Sequence, residues 1–232
     1  MAYWWLVEKV LEVTGTSFEF ELTGGCLCLD FANTVDRRPV PEERQDHLNF
    51  YSDLLQWALQ TKVLVKAAAA SLHTRATADP RAVHQTMRRA VRLREAIFGI
   101  FSALADRRAP DHDDLGTMNG ELKVAMSRSR IDGDHRGFKL WWDTGESDLS
   151  SPLWLVVNSA ADLLLDDRWH LVRRCAASDC DWLFIDNSSN QRRRWCDMKR
   201  CGNRAKARRH YQATLTRKPR TQSARRKREP AR

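Results

Sequence analysis

Four of the six cysteines of this 232-residue chain form two matched pairs near its C-terminus, and their spacing strongly constrains the fold. Four residues lie between Cys175 and Cys180, four lie between Cys196 and Cys201, and fifteen residues separate the pairs. Two short-spaced pairs are typical of thiolates that converge on one metal ion. Zinc is the expected ion because it is tetrahedral, redox-inert and suited to four sulfur ligands. Disulfides, which are rare in a reducing cytoplasm, and buried unligated thiols are the alternatives.

The residues around the cysteines predict how the ion is framed. Residues 181–186 (DWLFID) favour a β-strand, residues 187–190 (NSSN) form a turn, and residues 192–196 (RRRWC) predict a returning strand. Good helix formers follow Cys201. The order knuckle, hairpin, knuckle, helix is that of a treble-clef-like zinc finger.

Four thiolates leave no open coordination position, so the expected metal is structural and His210 stays outside its coordination shell. The aromatic residues Trp182, Phe184 and Trp195 have two interpretations. They form either a minimal core under the hairpin or platforms on which nucleic-acid bases stack.

The positive charge of the chain belongs to its C-terminal third. From residue 168 onward, 20 Lys and Arg stand against 5 Asp and Glu, whereas residues 1–167 hold 19 against 25. Clustered basic residues neutralise phosphates and release counterions, so a polyanion is the expected partner, with a merely solvated surface as the alternative. The predicted nucleic-acid contacts lie beside the cysteines and on the helix after them: Arg192, Arg193, Arg194, Arg204, Lys206, Arg208 and Arg209.

The last residues form a basic tail. Residues 217–232 contain eight basic residues, one acid, two prolines and otherwise no apolar residue larger than alanine. Such a segment cannot bury enough surface to offset its ordering entropy, so we expect disorder in the free protein. Beside a bound duplex the tail would act as a sequence-independent clamp; a passive tail is the alternative.

The rest of the chain favours α-helix. Apolar residues recur at steps of three and four in residues 49–60, 66–76 and 80–108, and residues 151–167 predict the last helix before the finger. A short strand is expected from Gly137. The predicted fold class is mainly α with a small β element: an α-helical N-terminal domain followed by a treble-clef-like zinc finger with a β-hairpin and a helix. Because no long linker separates them, we expect the finger to pack against the last helix.

Nothing in the N-terminal part indicates catalysis. The seven histidines are scattered, no glycine-rich phosphate loop is present, and the acidic run at residues 111–114 is typical of a helix N-terminus. Cys26 and Cys28 alternate with leucines on an expected strand, as small buried side chains or, alternatively, as redox-sensing thiols. Polar residues follow them and are expected to cap a turn or helix, with a ligand contact as the alternative: Asp30, Asn33 and Thr34.

The quoted segments resemble a known family. Residues 182–210 resemble the CGNR-type zinc finger, named for the run that begins at Cys201, and residues 24–38 (GGCLCLDFANTVDRR) resemble the opening of the ABATE domain that usually precedes it. Members of this largely bacterial family are described as stress-induced transcription regulators. The resemblance implies that the finger binds DNA.

The expected function is therefore that of a DNA-binding zinc-finger protein and transcription regulator, not an enzyme. The expected domains are an ABATE-like helical domain at residues 18–168, which senses an effector or holds a protein partner, the finger at 169–214, and the tail at 215–232. The alternative is an RNA-associated or protein-interaction module in which the finger is structural. No signal peptide or membrane-spanning run is recognised, so a cytoplasmic location is expected. The oligomeric state stays open.

Overall fold

The structure is a computed structural model that describes residues 18–142 and 148–216. The opening apolar segment, residues 1–17, and the basic tail from residue 217 lie outside the described residues. The helices are α1 (Leu27–Ala32), α2 (Tyr51–Gln60), α3 (Lys66–Ala78), α4 (Pro80–Ala105), α5 (His112–Ser127), α6 (Ser151–Leu165) and α7 (Asn203–Thr216). The strands are β1 (Val35–Asp36), β2 (Gln45–Asp46), β3 (Ser129–Asp134), β4 (Gly137–Trp142), β5 (Val172–Arg174) and β6 (Leu183–Ile185).

The predicted helices are confirmed, and their ends show why they start where they do. Pro80 occupies the first turn of α4, and the Asp79 side chain caps that helix by accepting a 2.9 Å hydrogen bond from the Ala82 amide. The Asp111 side chain caps α5 by accepting from the Asp113 amide at 2.8 Å. The acidic run at 111–114 is thus a helix N-terminus, as predicted.

The strands of the described residues form three two-stranded antiparallel sheets, β1–β2, β3–β4 and β5–β6. The strand expected from Gly137 is β4, and its partner β3 was not predicted. In the finger, Val172 pairs with Ile185 and Arg174 with Leu183.

The strand predicted at Cys26 and Cys28 is wrong. Cys26 is the extended N-cap of α1, and the residues after it are helical. A run of alternating leucines and cysteines this short fits both the two-residue period of a strand and the 3.6-residue period of a helix. Tertiary packing favoured the helix, in which Leu29 and Phe31 are fully buried.

The strand predicted at residues 192–196 is also wrong. The partner of β6 is β5, which precedes the first cysteine pair, so that pair lies in the loop that joins the two strands. The segment before Cys196 instead contributes one backbone hydrogen bond, from the Ala176 amide to the Arg194 carbonyl at 2.8 Å.

A large apolar core fills the helical part, with Trp57, Phe101 and Trp154 among its fully buried side chains. The finger packs chiefly on α1 and α4: β5 contacts α4, and β6 contacts both helices. The expectation that the finger would dock on the last helix is wrong for its hairpin: α6 packs mainly on α5 and α1, and toward the finger it contacts the 3-10 turn Asp167–Leu171. In the described residues no helix has the length and hydropathy needed to cross a membrane.

Candidate metal centre and finger surface

The four paired cysteines converge on one point. Their Sγ atoms all lie within 4.8 Å of one another, and all four residues are buried and free of disulfides: Cys175, Cys180, Cys196 and Cys201. The Sγ atoms of Cys180 and Cys196 are 3.6 Å apart, as are those of Cys196 and Cys201. Zn–S bonds of about 2.3 Å in a tetrahedron place sulfur atoms about 3.8 Å apart, so the cluster has the size of a zinc site.

The charges of these thiols also fit a cation. Hydrogen bonds from the other three thiols, that of Cys180 foremost, lower the pKa of Cys175. The same contact with Cys175 raises the pKa of Cys180. Thiols this close therefore resist losing all four protons unless a cation neutralises the resulting charge. A divalent ion of soft-ligand preference meets that need, and these four buried cysteines could hold a zinc ion.

Two tight turns present the cysteine pairs: the first knuckle, residues 175–181, and the second knuckle, residues 196–202. In the first, the Cys175 amide donates to the Trp182 carbonyl at 2.8 Å, and Asp181 takes a positive φ of 69° to turn the chain back into β6. In the second, a π-helical turn spans Met198–Gly202, and the Asp197 side chain caps it by accepting from the Arg200 amide at 2.7 Å.

The run Cys201 to Arg204 has a structural reason at three of its four positions. Cys201 belongs to the thiol cluster. At Gly202 a Cβ would collide with the end of the Met198 side chain and stand 3.1 Å from Trp195 Cδ1, so a larger residue requires Met198 to move. Arg204 donates a hydrogen bond from Nη2 to the Cys201 Sγ at 3.3 Å, which stabilises a thiolate.

A small core lies under the finger. Trp182 and Phe184 are buried beside the cysteines, with Trp195 half-buried against them. The core interpretation of Trp182 and Phe184 is therefore correct, and neither ring is free to stack on a base. Trp195 keeps an exposed part, and the Arg194 guanidinium lies 5.2 Å from its ring.

A joint of hydrogen bonds connects the finger to the helical part. We define it as the contacts of Gly24, Asn33 and Val35 with residues 182–185. The Asn33 side chain accepts from the Leu183 amide at 2.9 Å and donates to its carbonyl at 2.8 Å, as a neighbouring strand would. Trp182 Nε1 donates to the Val35 carbonyl, and the Ile185 amide to the Gly24 carbonyl, both at 2.9 Å.

The other two polar residues of the Leu29–Thr34 run stabilise the same region from within. Asp30 accepts a 2.8 Å hydrogen bond from the Gly24 amide, and burial raises the pKa of Asp30 to about 6. The Thr34 hydroxyl donates to the Phe31 carbonyl at 2.9 Å. The capping interpretation is correct for these residues, but Asn33 does more: it bonds a strand 150 residues away. Sequence reasoning missed this role, which no local signal reveals.

The seven predicted nucleic-acid residues divide into two groups. Arg193, Arg204 and Arg208 are engaged inside the finger: Arg193 donates to the Trp195 carbonyl, and Arg204 and Arg208 lie 3.3 and 2.8 Å from the buried Asp179 carboxylate. Arg193 and Arg208 stay exposed despite these contacts. The other four side chains, which we call the exposed group, are exposed without a side-chain hydrogen bond or ion pair among the described residues: Arg192, Arg194, Lys206 and Arg209. Sequence reasoning also missed Asp179, an acid between the first two cysteines of an otherwise basic segment.

Two concave surfaces adjoin the metal centre. A groove of about 380 Å³ runs between the first knuckle and α7, lined by Arg194, Trp195, Arg208 and Arg209. A cleft of about 490 Å³ lies between the finger and the loop around β1 and β2. Acidic and basic side chains line the cleft, among them Glu21, Asp36, Arg37, Glu42, Glu43, Arg200 and Arg204.

Comparison with known proteins places this geometry in a family. Residues 25–167 match the family model ABATE, described as a putative stress-induced transcription regulator, and residues 172–213 match the CGNR zinc finger. Neither description is that of an enzyme family. No curated protein matches the chain. With a helical part matched over most of its length and a four-cysteine zinc finger after it, this chain belongs to the ABATE family and carries a CGNR zinc finger.

Proposed function

We propose that this protein is a transcription regulator that binds DNA through its finger. The observation that carries the proposal is the exposure of α7. Every residue from Lys206 to Leu215 on this helix is exposed, including the apolar Tyr211 and Leu215. A basic helix that covers no core and starts at a metal-held turn is well suited to lie along a phosphate backbone or in a groove.

The groove beside α7 supports the same face of the finger as the DNA-binding surface. Arg194 and Trp195 line it from the segment before Cys196, and Arg209 lines it from α7. Arg204 and Arg208 hold α7 against the first knuckle through Asp179. We therefore assign the phosphate contacts mainly to the exposed group, Arg192, Arg194, Lys206 and Arg209, and a positioning role to Arg204 and Arg208.

The test is a fourfold alanine variant of the exposed group. Each lost phosphate contact should flatten the slope of log affinity against log salt by roughly 0.9, or about 3 to 4 in all, while zinc content stays unchanged. The matched control removes four exposed basic residues of the helical part, and should leave the slope as it was: Arg81, Arg88, Arg92 and Lys123. An equal response of the two variants on duplex DNA would refute the proposed face.

A structural role for the finger is the second candidate, and one observation favours it. Val172, Leu183 and Ile185 of the finger hairpin belong to the apolar core of the helical part. A finger that only completes this core would leave its basic surface to RNA or to an acidic protein. Retention on single-stranded or duplex RNA in preference to duplex DNA, at several salt concentrations, would support this candidate over the first.

We place the effector of the regulator in the cleft between the finger and the β1–β2 loop. A small polar ligand there would touch both parts, because Glu42 and Glu43 face it from one side and Arg200 from the other. A thermal-shift screen of small zwitterions and amines tests this, with Glu42→Gln expected to abolish the shift. Ligands that stabilise the parent protein and the Glu42→Gln variant equally would show that the effector does not bind in the cleft.

The basic tail is proposed to strengthen binding without reading sequence. Deleting residues 217–232 should weaken binding to all duplexes by a similar factor and lose most of its effect at high salt. Affinities measured for two unrelated duplexes test this. Equal affinities of full-length and truncated protein at low salt would indicate a passive tail.

A further inference from the structure

The two cysteines outside the metal centre lie side by side. Cys26 and Cys28 have their Sγ atoms 3.5 Å apart, and no zinc-cluster residue is involved in their contacts. Cys28 is fully buried at the start of α1, whereas Cys26 is half-buried at its N-cap. The pair thus presents one reachable thiol and one sheltered thiol within van der Waals distance.

The two thiols are unequal in charge as well as in exposure. The hydrogen bond from Cys28 lowers the pKa of Cys26, and burial raises the pKa of Cys28. Thiolate character is therefore concentrated on Cys26, the less buried of the two residues. An accessible thiolate with a resolving thiol beside it is the arrangement found at oxidisable cysteines.

The backbone allows these sulfur atoms to approach each other. Cys26 follows Gly24 and Gly25, and Gly25 takes a positive φ of 86°. Cys28, by contrast, is fixed in the first turn of α1. A disulfide requires the sulfur atoms to close from 3.5 Å to about 2.05 Å, which side-chain rotation at Cys26 and adjustment of the glycine pair can supply.

We propose that Cys26 and Cys28 are a site of reversible oxidation by hydroperoxides, and that the disulfide they form loosens the joint to the finger. The Cys26 thiolate attacks one peroxide oxygen, the O–O bond breaks, an alcohol or water leaves with a proton, and Cys26 becomes a sulfenic acid. The Cys28 sulfur then attacks the Cys26 sulfur, the S–O bond breaks, and the hydroxide leaves as water with the Cys28 proton. Two thiols lose two electrons, and the hydroperoxide gains them.

Gly24 connects the Cys26–Cys28 pair to the joint. Gly24 precedes the glycine that adjoins Cys26, and its carbonyl accepts the 2.9 Å hydrogen bond from the Ile185 amide of β6. Gly25 is also a neighbour of Ile185, since a Cβ on it would stand 3.5 Å from the Ile185 Cβ, in ordinary van der Waals contact. A movement of Cys26 toward Cys28 therefore pulls on the segment that pairs with the finger.

The first experiment uses the zinc-loaded full chain and hydrogen peroxide. Peptide mapping should show a loss of two hydrogen atoms on the peptide that holds both cysteines, reversed by dithiothreitol, with zinc content unchanged. The variant Cys28→Ser should stop at a sulfenic acid on Cys26 that dimedone captures, and Cys26→Ser should show neither product. Cys28→Ala provides the same stalled state if a buried serine hydroxyl impairs folding.

Two outcomes would overturn the proposal. If peroxide releases zinc while Cys26 and Cys28 stay reduced, the metal centre is the oxidation site and this pair is not. For the second half of the proposal, the measurement is hydrogen exchange at the Ile185 amide, which should quicken at least several-fold on oxidation. Unchanged exchange in the disulfide form would refute the effect on the joint.

Discussion

The helical part and the finger bury their interiors by different means. The core of the helical part consists of large apolar side chains from α1, α2, α4 and α6, among them Trp57 and Trp154. The finger core is much smaller, and four of its seven buried residues are cysteines. Apolar burial stabilises the first, whereas the second is too small to fold on that basis and depends on a metal. The difference predicts that the two parts respond to different perturbations.

The hairpin of the finger complicates that division. Leu183 and Ile185 point into the helical core, while Phe184 between them faces the cysteines. Because successive side chains of a strand point to opposite faces, β6 belongs to both interiors at once. The joint at Asn33 then fixes the strand in place.

The largest expected effect comes from breaking the metal centre. Cys196→Ser should abolish binding of one zinc per chain and the ~10–16 kcal/mol of apparent zinc binding energy that maintains the finger. Hydrogen exchange should quicken around Cys201 and in α7, while Leu183 and Ile185 stay protected by the helical core. Elemental analysis checks the metal, with Cys26→Ser as the control that keeps it. A folded finger without metal would contradict this account.

The next effect tests the joint. Asn33→Ala leaves the buried amide and carbonyl of Leu183 without their partner and should lower the free energy of unfolding by about 2–4 kcal/mol. Zinc content should not change, because no ligand is touched. Denaturant unfolding measures the loss, with the exposed Asn187→Ala expected to stay within about 0.5 kcal/mol of the parent. Equal losses in both variants would show that Asn33 does not join the two parts.

A fall in pH should change the stability of the two parts in opposite directions. Zinc binding needs deprotonated thiols, so the finger loses stability as the pH falls. Asp30 acts oppositely: its pKa is raised from 3.8 to about 6 by burial, so the folded protein binds a proton that the unfolded chain has already released. Its contribution to stability is therefore greatest below about pH 4 and declines as the pH rises to about 6.

Asp30→Asn tests that sign. The variant should gain about 1–2 kcal/mol relative to the parent at pH 7, a gain that shrinks toward pH 5, as long as the amide oxygen still accepts from Gly24. Paired unfolding curves of parent and variant at several pH values measure it, because the zinc contribution cancels in the difference. A gain that is independent of pH would contradict a raised pKa at this carboxyl.

The smallest effect concerns the ion pair across the boundary. Arg174 of β5 contacts Asp106 at the end of α4 at 2.7 Å and Asp181 of the first knuckle at 2.8 Å. The contacts are partly exposed, so Arg174→Ala should cost no more than about 1 kcal/mol and less at high salt. A double-mutant cycle with Asp106→Ala measures the coupling free energy between Arg174 and Asp106. The control is Arg108→Ala, which removes a contact to Asp106 within the helical part. A coupling well above about 1 kcal/mol would contradict the small contribution expected of a partly exposed ion pair.

The sequence by itself determined the metal centre and most of the helices. Cysteine spacing alone identified the four residues that converge, because few chemistries other than a shared ion bring two short-spaced thiol pairs together. The helices α2, α3, α4 and α6 could be predicted because their apolar periodicity and caps are local properties.

Tertiary structure decided how those elements meet. Which strand pairs with β6, and that an asparagine 150 residues away completes it, depends on contacts between distant segments that no local pattern encodes. Asp179 likewise withdraws Arg204 and Arg208 from a basic face that the sequence shows as continuous. The sequence does not show whether an arginine is free or paired, because pairing depends on which carboxylates the folded chain brings within reach of it.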